Sequence, residues 1–266
     1  MKLIFFYLFL LLLLVSCQSK YNEYTVLQLN GQVKEIITKR YKAVEKFGEV
    51  TKGKLVWRSL EDAQEYEYEI LPANSRVVFD NNGLMQELTI YSGDNELLSK
   101  LLFKDTIFDF YDRRGDLVGK MIGDDRLFPD EMNIYNEEGQ LVEKIKVTYD
   151  KQAKLNKVLE SYDGDGDWLS TTSYTYDKDG RLIKVSTEEK TYSRYYRDRD
   201  EKNTIKLETL LYEKGQYPSK VTLEEDGNIE VRDISYTLDD KNNWIESIEY
   251  IDGKPKYFIE RKLVYY

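Results

Sequence analysis

A short phrase recurs down this chain and limits what it can fold into: an aromatic residue, Asp or Asn, two polar residues, Gly, a polar residue and an apolar one. Tyr176-Asp177-Lys178-Asp179-Gly180-Arg181-Leu182 is the clearest copy. Phe79-Asp80-Asn81-Asn82-Gly83-Leu84, Tyr111-Asp112-Arg113-Arg114-Gly115-Asp116-Leu117 and Tyr135-Asn136-Glu137-Glu138-Gly139-Gln140-Leu141 repeat it. Asp at the start of a turn can bond nearby backbone amides, and Gly supplies the positive φ that lets the chain return. Each copy therefore reads as the end of one strand, a hairpin turn and the start of the next strand.

Weaker copies extend the array. Tyr149 to Leu155 keeps the frame without Gly, and Tyr162-Asp163-Gly164-Asp165-Gly166-Asp167 ends in Trp168. Leu223 to Ile229 and Leu238 to Trp244 lack the leading aromatic, and Tyr91 to Leu97 and Tyr250 to Pro255 look like further turns. Between turns the residues alternate: Ile145, Val147 and Tyr149 fall on one side, and Ile234, Tyr236 and Leu238 do the same further on. A period of two over five to eight residues predicts half-buried antiparallel strands. The first part of the body is less repetitive: residues 32–39, 54–58 and 66–71 look like strands, and Ser59 could cap one helical turn. The expected fold is all-β, an extended antiparallel meander of repeated hairpins forming a curled sheet. A large barrel and an irregular propeller are the alternative closures.

The N-terminus carries an address. Met1-Lys2 is cationic and Leu3 to Val15 is an uncharged apolar run, too short to span a bilayer comfortably and suited to a secretory leader. It ends in Leu14-Val15-Ser16-Cys17, which resembles the lipobox of bacterial lipoproteins, whose Cys is lipidated and becomes the mature N-terminus. Cys17 is the single cysteine, so no intramolecular disulfide can form. The expected organisation is a leader over 1–16, the lipidated Cys17 and a short tether over 17–25, and one hairpin-repeat domain over 26–266, clearest in 75–266. The expected location is the cell envelope, lipid-anchored, on the outer membrane.

Composition excludes more than it identifies. The chain of 266 residues has a formal net charge of −10, which argues against a nucleic-acid partner and against electrostatic adhesion to anionic lipid. It has no His, which removes the commonest general base, the Ser-His-Asp arrangement and most zinc sites. Asp, Glu, Lys or Tyr could still serve catalysis, but no catalytic set and no cofactor is expected.

Three constellations merit testing. Asp163, Asp165 and Asp167 alternate like the start of a calcium loop, yet the frame then needs Gly at Trp168 and Glu at Tyr174, and the same residues fit the hairpin turn. Residues 194–200 interleave Arg, Tyr and Asp and could bind a polyanion or a sugar, although their charges largely cancel. Tyr162, Trp168, Tyr174, Tyr176 and Trp244 could stack against a polysaccharide if they share one sheet face, or could instead bury that face. The pairs Glu188-Glu189 and Glu224-Glu225 read as solvent-facing.

The Tyr-Asp phrase resembles the repeat of the Rhs family, which implies a long coiling antiparallel sheet. The stretch from Asn242-Asn243-Trp244 through Tyr250-Ile251-Asp252-Gly253 to Arg261 also resembles lipoproteins of Bacteroides-type bacteria. Together these resemblances cover most of residues 75–266. The function they point to is a membrane-anchored, non-enzymatic scaffold that binds a protein or polysaccharide partner. A carboxylate-dependent enzyme acting on a glycan or peptide, and a structural or immunity-type accessory factor, are the alternatives.

Overall fold

The computed structural model describes residues 27–56, 74–126, 128–150, 155–192 and 201–266. The leader, Cys17 with its tether, the Ser59 turn, residues 66–71 and the 194–200 segment all lie outside these residues. Seventeen strands run through the described part. They begin with β1 (Val33–Lys46), β2 (Glu49–Leu55), β3 (Ser75–Phe79), β4 (Met85–Tyr91), β5 (Leu97–Lys104) and β6 (Ile107–Tyr111). Then come β7 (Leu117–Gly123), β8 (Glu131–Asn136), β9 (Leu141–Asp150), β10 (Leu155–Asp163), β11 (Trp168–Tyr176) and β12 (Leu182–Tyr192). The last are β13 (Glu201–Leu211), β14 (Lys220–Glu225), β15 (Asn228–Leu238), β16 (Trp244–Ile251) and β17 (Lys254–Tyr265).

From β3 to β17 each strand pairs antiparallel with the next. The first strand then closes the ring. One edge of β1 pairs Val33 to Lys42 with Tyr265 to Tyr257 of β17, and the other pairs Glu35 to Thr38 with Val78 to Ser75 of β3. β1 and β3–β17 thus make a sixteen-stranded barrel. β2 pairs with the part of β1 that extends past β3, Tyr41 to Lys46. The expected all-β antiparallel meander is present, but in place of an extended curled sheet it closes as the barrel alternative. An open sheet would leave rows of unpaired backbone groups on β3 and β17, and the 14-residue β1 satisfies both.

Seven hairpins share one turn geometry. At Asp177, the backbone N–H donates to Arg181 O at 2.9 Å and the Gly180 N–H donates to Asp177 O at 3.1 Å. Asp177 Oδ1 accepts from the amides of Asp179 and Arg181, both at 2.9 Å. The same backbone pair occurs at Asp80, Ser92, Asp112, Asn136, Asp163 and Asp239. The fourth residue has positive φ in every case, as Gly or as Asn95 and Asn242. The ladder slips by one residue beside each turn, as between Tyr176↔Leu182 and its neighbours, which marks a type I turn with a bulge. Leu223 to Ile229 and Tyr250 to Pro255, expected to copy the phrase, turn differently. Asp226-Gly227 and Asp252-Gly253 are two-residue loops with both φ positive, the primed turn that Asp-Gly favours.

Alternation decides which side chains enter the barrel. Buried apolar residues of β1 and of every strand from β3 to β12 form one cluster, including Ile36, Phe79, Leu101, Phe110, Met121 and Val185. The interior there is packed side chain. A smaller cluster of Leu210, Val221 and Ile234 lies on β13–β15. The outer wall carries ion pairs instead. Arg76 bridges Glu35 and Glu87, and Glu87 also meets Lys100 at 2.8 Å, linking β1, β3, β4 and β5. Lys104–Asp109, Lys144–Glu131 and Lys220–Asp233 continue this pattern around the barrel.

Candidate functional site

The inner wall changes character beyond β9. On β10–β17 and β1, many inward positions are Ser, Thr, Glu, Arg or Lys, and several are fully buried. This polar wall is the candidate site.

Its densest part is an ion cluster where β1, β15, β16 and β17 meet. Arg40 is 0% exposed, Arg232 1% and Glu249 2%. Arg40 Nη2 lies 2.7 Å from Glu249 Oε2, and Arg232 Nη1 lies 3.7 Å from the same oxygen. Arg232 also donates to Glu230, and the Arg40 guanidinium stacks on the Tyr257 ring at 3.9 Å. The Arg40 amide is fixed by Asn74 Oδ1 at 3.2 Å. Two buried guanidiniums face one buried carboxylate, Glu249, and Glu230, which is 42% exposed, so each buried ion has an opposite charge beside it.

Next to it lies a wall that water reaches. Thr187↔Lys206 and Lys206↔Glu225 are cross-strand neighbours on β12, β13 and β14. Lys206 Nζ lies 3.0 Å from Glu189 and 3.6 Å from Glu225, with side-chain exposures of 33%, 38% and 57%. One strand earlier the Thr172 and Thr187 hydroxyls bond each other at 3.0 Å while buried. Of the acidic pairs read as solvent-facing, Glu188 is exposed on the outer wall and accepts from Asn203, whereas Glu189 points inward.

Glu143 is a buried, strongly perturbed carboxyl. It is buried at the start of β9, across from Ile134. Ser161 Oγ donates to its Oε1, and Oε2 has no hydrogen-bond partner. Burial raises its pKa to about 8, against the lowering effect of the Ser161 bond. No sequence motif marks this residue. Its only signal was an acid at an inward position beside Ile145 and Val147.

The five expected stacking aromatics do not share a face. Tyr162 and Trp168 follow the outward register of β10 and β11: Lys146 Nζ sits 4.9 Å above the Tyr162 ring, and Trp168 Nε1 donates to Thr171 at 2.9 Å. Tyr174 is buried inside, Tyr176 packs on the apolar cluster, and Trp244 lies inside against Tyr236 at 6.0 Å with Arg261 over it at 3.5 Å. Tyr236 joins Tyr217 at 5.4 Å, and burial raises its hydroxyl pKa far above normal. The hairpin register explains the split. Phe79 and Tyr176, beside turns at one end of the barrel, point in. Tyr91, Tyr111, Tyr135 and Tyr162, beside turns at the other end, fall in the outward alternation.

The calcium-like Asp163 segment is a turn of the common geometry. Asp163 Oδ1 accepts from the amides of Asp165 at 3.0 Å and Asp167 at 2.9 Å. The equivalent Asp112 carboxyl is held below its usual pKa by the Asp116 amide and, after a small opposing desolvation, by the Arg114 amide. No group of three His, Cys, Asp or Glu able to hold a metal occurs among the described residues.

No family model matches the chain, and no curated protein matches it. Among solved structures, the chain is similar to a porin-like protein from Bacteroides uniformis, with a TM-score of 0.51 at 10% identity over 88% of this chain and 98% of the other. It also aligns with the Photorhabdus luminescens Tc holotoxin pore, at a TM-score of 0.30 and 12% identity over 86% of this chain and 15% of the other, too weak to carry a conclusion. At 10% identity the Bacteroides likeness concerns the fold alone, an all-β antiparallel barrel.

Proposed function

We propose that the chain is a lipid-tethered barrel of the bacterial cell envelope whose outer wall stays in water and which binds a protein or a glycan without catalysis. One observation carries this reading: the outer ladder Glu35–Arg76–Glu87–Lys100. A transmembrane barrel turns an apolar band outward and polar residues inward, and each Arg or Lys on its lipid face costs about 2–4 kcal/mol at the midplane. Here the charges are outside, and packed Phe, Met, Leu and Ile fill the interior of β3–β9. The description of the Bacteroides uniformis neighbour as porin-like supports an envelope setting, and the Cys17 lipobox supports a tether in place of insertion.

The test is purification of residues 18–266 from detergent-free buffer. The expected result is a monodisperse soluble protein that adds no conductance to planar bilayers. Partition into detergent, or ion channels, would overturn the reading.

Glu143 favours a second reading, a carboxylate-dependent enzyme acting on a glycan or peptide, because a carboxyl kept protonated near neutral pH can act as an acid. Hydrolysis of a glycan or peptide panel by the wild type, lost in Glu143→Gln with folding intact, would establish it.

A further inference from the structure

The chain alternates direction at every strand, so the loops sort into two poles. The start of β1 and the end of β17 lie together at one pole, since Val33 pairs with Tyr265. The loops at 80–84, 124–130, 177–181, 212–219 and 239–243 share that pole, and those at 92–96, 112–116, 136–140, 163–167 and 226–227 form the far one.

The segment before β1 is fastened to its own pole. Leu27 is buried in the apolar cluster together with Val33. Asn30 N–H donates to Asn243 Oδ1 at 2.7 Å, and Asn243 Nδ2 returns a bond to Asn30 O at 2.8 Å. Gln28 O accepts from Gln216 Nε2 at 3.1 Å and from the Tyr217 hydroxyl at 3.2 Å. The described chain therefore begins at this pole and is held there by those contacts.

We infer that the pole built from Leu27, Asn30, Gln216 and Asn243 faces the lipid bilayer and that the far pole faces away from it. This rests on the lipid-tether reading. Nine residues lie between Cys17 and Leu27, ten residue steps in all. Ten residue steps span about 18 Å for an ideal coil and about 35 Å for a fully extended chain. The ten-residue β9 is about 33 Å long, so with strand tilt the barrel stands about 25 Å tall. The mean tether is shorter than the body, which keeps the latched pole nearer the lipid. The part of the inner wall that water reaches, at Lys206, Glu189 and Glu225, lies where β14 ends, in the far half. A partner in solution thus meets that wall, while the bilayer meets the latch.

The experiment uses the lipidated full chain reconstituted into phosphatidylcholine vesicles containing headgroup-nitroxide phospholipid. Lys214→Cys at the latched pole and Glu138→Cys at the far pole, both exposed, each carry a fluorophore. The lipid on Cys17 blocks that thiol. Quenching at least twofold stronger at position 214 than at 138 is expected. Equal quenching, or stronger quenching at 138, overturns the orientation while leaving the tether intact. Failure of the protein to stay with the vesicles, matched by a Cys17→Ala chain, overturns the tether itself and the orientation with it.

Discussion

The two halves of the inner wall have the same backbone and opposite chemistry. On β3–β9 the inward positions are Phe103, Phe108, Met121, Met132 and their like, which pack against one another around the ring. On β12–β17 and β1 they include Thr187, Glu208, Arg232, Glu249 and Arg40, which are buried and must find partners inside. The apolar half draws stability from area removed from water and needs only complementary shape. The polar half must satisfy each group individually, so a single lost partner there costs more than a lost methyl. The closed ring thus combines a stabilising wall with one whose chemistry can be spent on recognition.

Breaking the Arg40–Glu249 pair should separate the halves most sharply. Arg40→Met removes the 2.7 Å partner of the buried Glu249 carboxylate, with Arg232 at 3.7 Å, and should destabilise by about 3–5 kcal/mol in urea unfolding. Adding Glu249→Leu should recover most of that loss. If Arg40→Met costs under about 1 kcal/mol, water must already screen the cluster.

Glu143 sharpens the same contrast, because it is an acid set against the apolar half. Its folded pKa of about 8 exceeds the ordinary 4.5, so the folded chain holds a proton that the unfolded chain releases. Its contribution is fully present below pH 4.5 and is lost as pH rises to about 8. Glu143→Gln should therefore be nearly neutral at pH 4.5 and more stable than wild type at pH 8, by roughly 3–5 kcal/mol at most. Melting curves of both proteins at the two pH values check this. A pH-independent difference would mean that the carboxyl is hydrated.

The smallest effect is expected at the hydroxyl pair. Thr172→Val with Thr187→Val removes both partners of a buried bond, which should change stability by less than about 1 kcal/mol. A loss of several kcal/mol would show that these hydroxyls hold together more of the polar wall than each other.

The turns were legible in the sequence, because Asp and Gly at fixed spacing act on their own backbone within five residues. Strand ends at Tyr176 and Tyr111, and one residue past Tyr135, followed from them, as did the buried sides of Ile145, Val147 and Ile234. Closure was not legible. The pairing of Thr38 with Arg261 joins residues more than two hundred positions apart, and neither carries a local mark of it. The polar wall was hidden for a related reason: Glu189, Lys206 and Glu225 look like any solvated strand until the ring turns them inward. The aromatic set does not form one platform because the bulged turn between Tyr162 and Tyr174, an even twelve positions apart, puts them on opposite faces.

The pairing of the first strand with the last also sets the order in which the molecule can be made. Each hairpin from β3 onward can form from neighbouring residues, and β1 can pair early with β2 and β3, but its other edge must wait for β17. Until then the growing sheet has two open edges, able to join those of another chain. Removing β17 would leave the sheet open on both sides, so loss of Lys254–Tyr265 should turn single chains into aggregate.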